Sequence, residues 1–210
     1  MTTPHHFTPR TIVAIGRNYA DHAAEMQAEI PPEPLFFLKP ITSVINSGDP
    51  IIYPTWVSQK VDYEGELAII IGRTCYRVSE DDALEYIAGY TCANDVTARD
   101  LQRRDGQWTR GKGFNTFCPL GPVIVTNIDA SDLRLITRVN GVVKQDGRTS
   151  DLIFKIPRLI SHVSQVMTLS EGDVILTGSP AGVGPIVPGD VVEVEIEKIG
   201  VLSNPVVAGE

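Results

Sequence analysis

The sequence predicts an α+β, β-rich fold: a roll of mixed β-sheet with a few covering helices, formed as one domain over residues 1–210. Three observations point that way. Apolar and β-branched runs of strand length outnumber stretches with helical periodicity. No regular β-α-β alternation appears, which argues against a doubly wound sheet. No internal repeat, low-complexity segment or linker divides the chain, and a chain of this length buries roughly 70% of its unfolded surface in one core.

In chain order, residues 1–10 read as a loose lead-in, with His5 and His6 adjacent in a polar tail. Thr11–Ile15 is a short β run leading to Gly16-Arg17, and Asn18 is placed to cap a helix over Tyr19–Glu29. On that helix His22 and Glu25 lie three apart, on one face and within side-chain reach. Pro31-Pro32-Glu33-Pro34 stops it, so residues 17–34 read as a helix on flexible supports, a mobile lid. Ser79 and Asp82 open a capping box for a helix over Asp82–Ala88, and Val96–Arg104 reads as another, with Arg99 and Gln102 on one side. Between them Tyr90–Ala93 is a buried run ending at Asn94-Asp95. Residues 105–119 are a glycine-rich loop holding Trp108, Lys112 and Phe114.

Val123–Thr126 is a strand, and Leu133–Val143 a hairpin turned at Asn140-Gly141. Pro157–Met167 has one apolar stripe and covers a sheet. Asp173–Thr177 feeds the glycine-rich turn Gly178–Gly184. In the last strand Val192, Val194 and Ile196 alternate with a solvated face of Glu193, Glu195 and Glu197.

The chemistry concentrates in Val61–Gly72. Leu67–Ile71 is uninterrupted apolar sequence, as in a strand buried on both faces, and Glu64-Gly65-Glu66 stands at its mouth. Side chains at i and i+2 share a face about 6.6 Å apart. Two carboxylates at that spacing repel by roughly 2.5 kcal/mol at an effective dielectric near 20. Open water, a raised pKa or a cation can offset that cost; a solvated edge pair is the bland reading, and acids at the mouth of an interior strand suit a hard divalent cation held by oxygens.

Composition excludes several classes. Hydrophobic residues are 42% and charged residues 21%, as in a globular protein, and the net charge of −8 argues against nucleic acid or an anionic membrane as partner. Cys75, Cys92 and Cys118 form no Cys-x-x-Cys, so buried reduced thiols in a cytoplasmic protein are expected. Neither a signal peptide nor a membrane-spanning run is expected. Gly106–Lys112 has P-loop spacing, but Gly113 stands where the magnesium-binding hydroxyl belongs, and nucleotide binding is rejected there.

Five stretches in register resemble the fumarylacetoacetate hydrolase family: Gly-Arg-Asn-Tyr-x-x-His at 16–22, Tyr-Glu-Gly-Glu-Leu-Ala at 63–68, Asn-Asp-Val-Thr-Ala-Arg-Asp-Leu-Gln at 94–102, Lys-Gly-Phe-Asn-Thr-Phe-Cys-Pro-Leu-Gly-Pro at 112–122, and Leu-Thr-Gly-Ser-Pro-Ala-Gly-Val-Gly at 176–184. The resemblance implies a β-rich roll, usually a homodimer, that binds Mg2+ or Mn2+ through Glu64, Glu66 and Asp95. It implies His22 as general base with Glu25 as its partner, Lys112 as the active-site lysine, and Arg99, Gln102 and Ser179 as substrate contacts. The separate N-terminal domain of longer eukaryotic members has no counterpart, which implies a short form. Ser179 stands where threonine is common, and Asn115 where many relatives have aspartate.

The activity implied is metal-dependent hydrolysis of a C–C bond in 2,4-dioxo acids such as acetylpyruvate or fumarylpyruvate, giving pyruvate and a carboxylic acid. Decarboxylation of oxaloacetate, or isomerisation or tautomerisation of a keto acid, is the alternative on the same site. A non-catalytic keto-acid-binding protein is the rival of another class, and the intact His22–Glu25 pair argues against it.

Overall fold

The computed structural model describes residues 2–4, 9–25 and 27–210. Its first half contains β1 (Thr2–Pro4), β2 (Ile12–Gly16), α1 (Ala20–Glu25), β3 (Leu35–Lys39), β4 (Val44–Ile45), β5 (Ile51–Tyr53), β6 (Val61–Tyr63), β7 (Gly65–Ile71), β8 (Ile87–Asn94), β9 (Thr97–Ala98) and α2 (Arg99–Asp105). The second contains α3 (Thr109–Lys112), β10 (Cys118–Val125), β11 (Arg134–Val139), β12 (Val142–Arg148), α4 (Ile156–Val166), β13 (Val174–Leu176), β14 (Gly184–Ile186), β15 (Val191–Ile196) and β16 (Gly200–Ala208).

Among the described residues the strands form three sheets. The largest runs β1-β10-β8-β7-β13-β2-β3, with β4 also paired to β10. The second runs β12-β11-β15-β16-β5, and a small third runs β14-β6-β9. Most pairings are antiparallel, but β13–β2, β10–β4 and β16–β5 are parallel, so the expected mixed, strand-rich architecture is what forms. No described helix is long and apolar enough to cross a membrane.

Strand β7 lies inside the largest sheet between β8 and β13, and all seven of its residues are buried. Its two faces feed different cores, as a period of two requires. Leu67, Ile69 and Ile71 pack with Leu135, Val194 and Ile196 of the second sheet and with Leu159, Ile160 and Val163 of α4. Ala68 and Ile70 face the other way, against Ile12, Ala14, Val174 and Leu176. Each large aliphatic side chain so buried contributes on the order of 1.5–3 kcal/mol. The parity also fixes the chemistry: Gly65 faces the second sheet, whereas Glu66 shares the opposite face with Ala68 and Ile70.

Several elements depart from expectation. Thr2–Pro4 pairs with Val123–Val125 at the edge of the largest sheet, where a loose lead-in was expected; His5 and His6 lie outside the described residues. Asn18 is not a helix cap. Its amide donates to the carbonyls of Phe154 (3.1 Å) and Thr177 (2.8 Å) and its Oδ1 accepts from Phe154 N (2.8 Å), which bolts the β2–α1 turn to two distant segments. Helix α1 is shorter than the pattern suggested, and it stops before the prolines. Gln27 takes a left-handed φ of 52°, and Ala28 N donates to Ala23 O at 2.9 Å, a C-terminal cap closed by backbone alone.

Ser79 and Asp82 do bond one another (2.7 Å), but they open only a single 3-10 turn, Ala83–Tyr86. Ile87 and Ala88 belong to β8, because pairing with β7 outweighs helical propensity there. Helix α2 begins at Arg99 rather than Val96, since Thr97 and Ala98 are taken into the small sheet. Within 105–119, Thr109–Lys112 forms α3. Strand β16 follows the strand expected to be last. The Asn140-Gly141 turn, both residues at positive φ (51° and 76°), and the helix opened by Ile156-Pro157 formed as expected.

Candidate functional site

The β7–β8 register assembles the acidic centre. Gly65 pairs with Asn94, so Asp95 falls beside Glu64; Asp95 N donates to Glu64 O (2.8 Å) and Glu64 N donates to Asn94 Oδ1 (2.9 Å). One carboxylate oxygen from each of Glu64, Glu66 and Asp95 lies within 4.8 Å of the others, and all three side chains are buried. Asp95 caps no helix, since α2 starts four residues later.

Three buried cations face this centre. Lys112 donates to Glu64 Oε2 (2.7 Å) and to Asp95 Oδ2. Arg99 donates from Nη2 to Glu64, from Nε to Asp62 Oδ2 (2.8 Å) and from Nη1 to Gln102 Oε1 (2.7 Å). Lys39 donates to Asp95 Oδ1 and to the Lys112 carbonyl (2.6 Å). Lys39 and Asp62 are site residues that the sequence reading passed over. For Lys39 the signal was a lone cation closing the apolar run Leu35–Leu38. In β3 it is the buried residue, while Leu35 and Leu38 are exposed.

The cations are shared unequally. Burial alone would raise the Glu64 pKa, but Lys112 and Arg99 outweigh it and hold the carboxyl well below the usual range. Burial likewise opposes the charge on Lys112, yet Asp95 and Glu64 keep its pKa above the ordinary lysine value, so it stays a cation. Among the described residues no cation lies within 4.0 Å of the Glu66 carboxylate. Its Oε2 accepts Gly178 N at 2.7 Å, and burial, Asp95 and Glu64 together push its pKa well above normal. A buried acid without a counter-ion, beside two others that offer only oxygen, suits a hard divalent cation such as Mg2+ or Mn2+. The donor set fits the ion implied by the resemblance.

The remaining expected residues converge on the same place. His22, buried on α1, has Nδ1 3.4 Å from Glu25 Oε2, and Glu25 also accepts Gly182 N at 3.1 Å. The turn after β13 therefore holds the dyad on one side and Glu66 on the other. A cavity of about 320 Å3 is lined by His22, the three acids, Arg99, Gln102, Lys112 and Ser179, all buried, and by the less buried Arg17, Phe37, Arg103 and Trp108. Ser179 Oγ accepts Gln145 Nε2 at 2.7 Å, and Gln145 Oε1 accepts Gly65 N at 2.9 Å. Gln145, from β12, thus ties the glycine-rich turn to the Glu-Gly-Glu backbone. Nothing in its sequence context marked it out.

Curled mixed sheets around a buried trio of carboxylates, with a histidine on the cavity wall, define the class to which the chain belongs. The family description Fumarylacetoacetate (FAA) hydrolase C-terminal matches residues 11–207, and the chain belongs to the fumarylacetoacetate hydrolase family. An uncharacterized protein of Archaeoglobus fulgidus is 59% identical, over 95% of this chain and 79% of its own. Oxaloacetate tautomerase YisK of Bacillus subtilis is 44% identical, over 94% of this chain and 69% of its own. The crystal structure of a 5-carboxymethyl-2-hydroxymuconate delta-isomerase from Mycobacterium smegmatis superposes with a TM-score of 0.91 at 53% identity, covering 97% of this chain and 81% of that one.

Proposed function

We propose that this protein is a metal-dependent enzyme that interconverts the keto and enol forms of small 2-oxo acids, with oxaloacetate as the first substrate to test. The observation that carries the reading is the trio Glu64, Glu66 and Asp95 at the floor of a cavity whose wall holds His22. The similarity to an oxaloacetate tautomerase and a delta-isomerase favours proton transfer over the C–C hydrolysis expected from the sequence.

Glu64, Glu66 and Asp95 would hold Mg2+ or Mn2+, which supplies Lewis-acid polarisation of a 2-oxo group. Glu25 holds the Nδ1 side of His22, leaving Nε2 to carry a proton from substrate C3 to the 2-oxygen, which makes the enol, and from that oxygen back to C3 in the reverse direction. Lys112, kept cationic by its acidic neighbours, and the Gln102 amide nitrogen, whose oxygen is engaged by Arg99, stabilise charge that develops on oxygen. Arg99, tied to Asp62, Glu64 and Gln102, fixes that wall of the cavity. Helix α1 is the element that would move to admit substrate, and closing it would exclude water from His22. The exposed apolar residues of β3, Leu35 and Leu38, with Ile41 beside them, support a homodimer.

Hydrolysis of acylpyruvates is the second reading, favoured by the His22–Glu25 contact, which equally orients the ring to activate water. Decay of the oxaloacetate enol absorbance, followed with and without Mg2+ beside acetylpyruvate cleavage, separates the two. Acceleration of enol decay that needs both metal and His22 is expected. Metal-loaded protein that leaves the enol at its spontaneous rate would end the tautomerase reading.

A further inference from the structure

The glycine-rich turn after β13 approaches β12 so closely that side chains are excluded at the contact. A Cβ on Gly147 would stand 2.7 Å from Pro180 Cβ, and one on Gly182, whose φ is 95°, would stand 2.0 Å from the Lys144 carbonyl oxygen. Gln145, on the same face of β12 as Gly147, reaches into that turn and is 1% exposed.

The orientation of its amide is forced. Gly65 N can only donate, so the atom 2.9 Å from it is Oε1; the Pro180 carbonyl can only accept, so the atom 2.7 Å from that one is Nε2. The second Nε2 hydrogen goes to Ser179 Oγ at 2.7 Å. An amide nitrogen accepts nothing, so Ser179 is the acceptor in this bond and keeps its own hydrogen to give. Among the described residues Ser179 Oγ finds no acceptor for that hydrogen. A buried donor is ordinarily matched, and Ser179, 3% exposed, lines the cavity of the three acids. The acceptor it lacks belongs to whatever fills that cavity.

We propose that Gln145 is a positioning residue: by occupying a lone pair of Ser179 it turns the hydroxyl hydrogen into the cavity, where Ser179 donates to a charge-bearing oxygen of the bound 2-oxo acid. The proposal rests on the reading of the cavity as a 2-oxo-acid site. Gln145 lines no part of the cavity and acts through Ser179. A serine hydroxyl rotates, and without a fixed partner it presents a lone pair to the ligand oxygen as readily as a hydrogen. A donor aimed in advance needs no reorientation when charge develops. The same amide grips Gly65 N, between Glu64 and Glu66, so the donor and the acids are held as one unit. The two bonds reinforce one another, because a hydroxyl that donates to an anion becomes a better acceptor for Gln145.

Pyruvate is the probe, since it offers a carboxylate and a 2-oxo group and needs no turnover. Its affinity for Mg2+-loaded protein is measured by calorimetry in wild type, Ser179→Ala, Gln145→Met and the double variant. Ser179→Ala should weaken binding about 10–100-fold, the worth of a hydrogen bond to a charged group. Gln145→Met, similar in volume, should weaken it about 3–10-fold when Ser179 is present and less than about twofold in the Ser179→Ala background. Equal losses in both backgrounds overturn the proposal, because a residue that only holds the turn acts whether or not position 179 bears a hydroxyl. No loss in either background overturns it too. Should Gln145→Met not fold, NMR of the Gln145 side-chain amide in wild type decides: pyruvate should shift the hydrogen bonded to Ser179 more than the one bonded to Pro180, and equal or absent shifts overturn the proposal. Coupling between the two residues in protein that leaves oxaloacetate enol untouched upholds the proposal and refutes the reaction. Wild-type protein that binds no pyruvate refutes both.

Discussion

Replacing Gly65 by alanine tests why the two glutamates are separated by glycine. Gly65 faces the second sheet, and a Cβ there would stand 2.0 Å from Thr137 Oγ1, 3.2 Å from Gln145 Oε1 and 3.3 Å from Val194 Cγ1. The first distance is more than an ångström inside ordinary contact, so β7 or β11 has to give. Overpacking of this kind costs about 1–3 kcal/mol, or about 2–12 °C in melting temperature for a chain of this size. The strain falls on the peptide between two metal-ligand candidates, so affinity for Mn2+ should fall along with stability. Among the described residues Thr137 Oγ1 is buried without a hydrogen-bond partner, so removing it forfeits none of the hydrogen bonds found there. Thr137→Ala should therefore restore much of the stability and metal affinity lost in Gly65→Ala. Urea unfolding and Mn2+ titration of the two single variants and the double measure this. Gly65→Ala that is as stable as wild type, or a double variant no better than the sum of the singles, would refute the claim that close sheet packing holds the acids apart.

Other expectations follow from the same contacts. Lys39→Met strips Asp95 of one buried partner and should cost about 3–5 kcal/mol in chemical unfolding; a loss below about 1 kcal/mol would mean that the ion pair is not formed. The Glu66 carboxyl, whose pKa lies well above 4.5, favours folding in its protonated form. That contribution is full below the unfolded pKa and is lost as pH rises through the folded one. A cation that displaces the proton restores it, so Mg2+ should raise the melting temperature more at about pH 8 than at about pH 5, and equal rises would count against it. Glu64, shifted the other way, loses its contribution only as pH falls below its usual range. His22→Ala should lower kcat by about 10²–10⁴-fold, whereas Glu25→Gln should lower it less, because that contact is 3.4 Å long and the Glu25 side chain is 38% exposed; equal losses would give Glu25 a larger part than orientation.

Much of this site was legible because its chemistry violates ordinary patterning. Glu64 and Glu66 at the mouth of an all-apolar strand are expensive to bury, so they call for a ligand, counter-ions or a raised pKa. Asp95 was legible through the family's motifs, and the β7–β8 register then placed it. The hairpin at Asn140-Gly141 and the stripe on α4 were legible because turn chemistry and helical periodicity are local. What was hidden depends on partners far along the chain. Asn18 looks like a cap, yet it bonds segments 136 and 159 residues away. Ile87 and Ala88 have helical spacing, but β7 claims them. Lys39 and Gln145 become site residues only once β3 and β12 are folded against the acids.

The central claim is that Glu64, Glu66 and Asp95 together hold one divalent cation. Calorimetric titration of metal-free protein with Mn2+, beside the Glu66→Gln variant, tests it most directly. One ion per chain in the wild type, lost in the folded variant, is the predicted result. No binding to the wild type, or undiminished binding to Glu66→Gln, would contradict it.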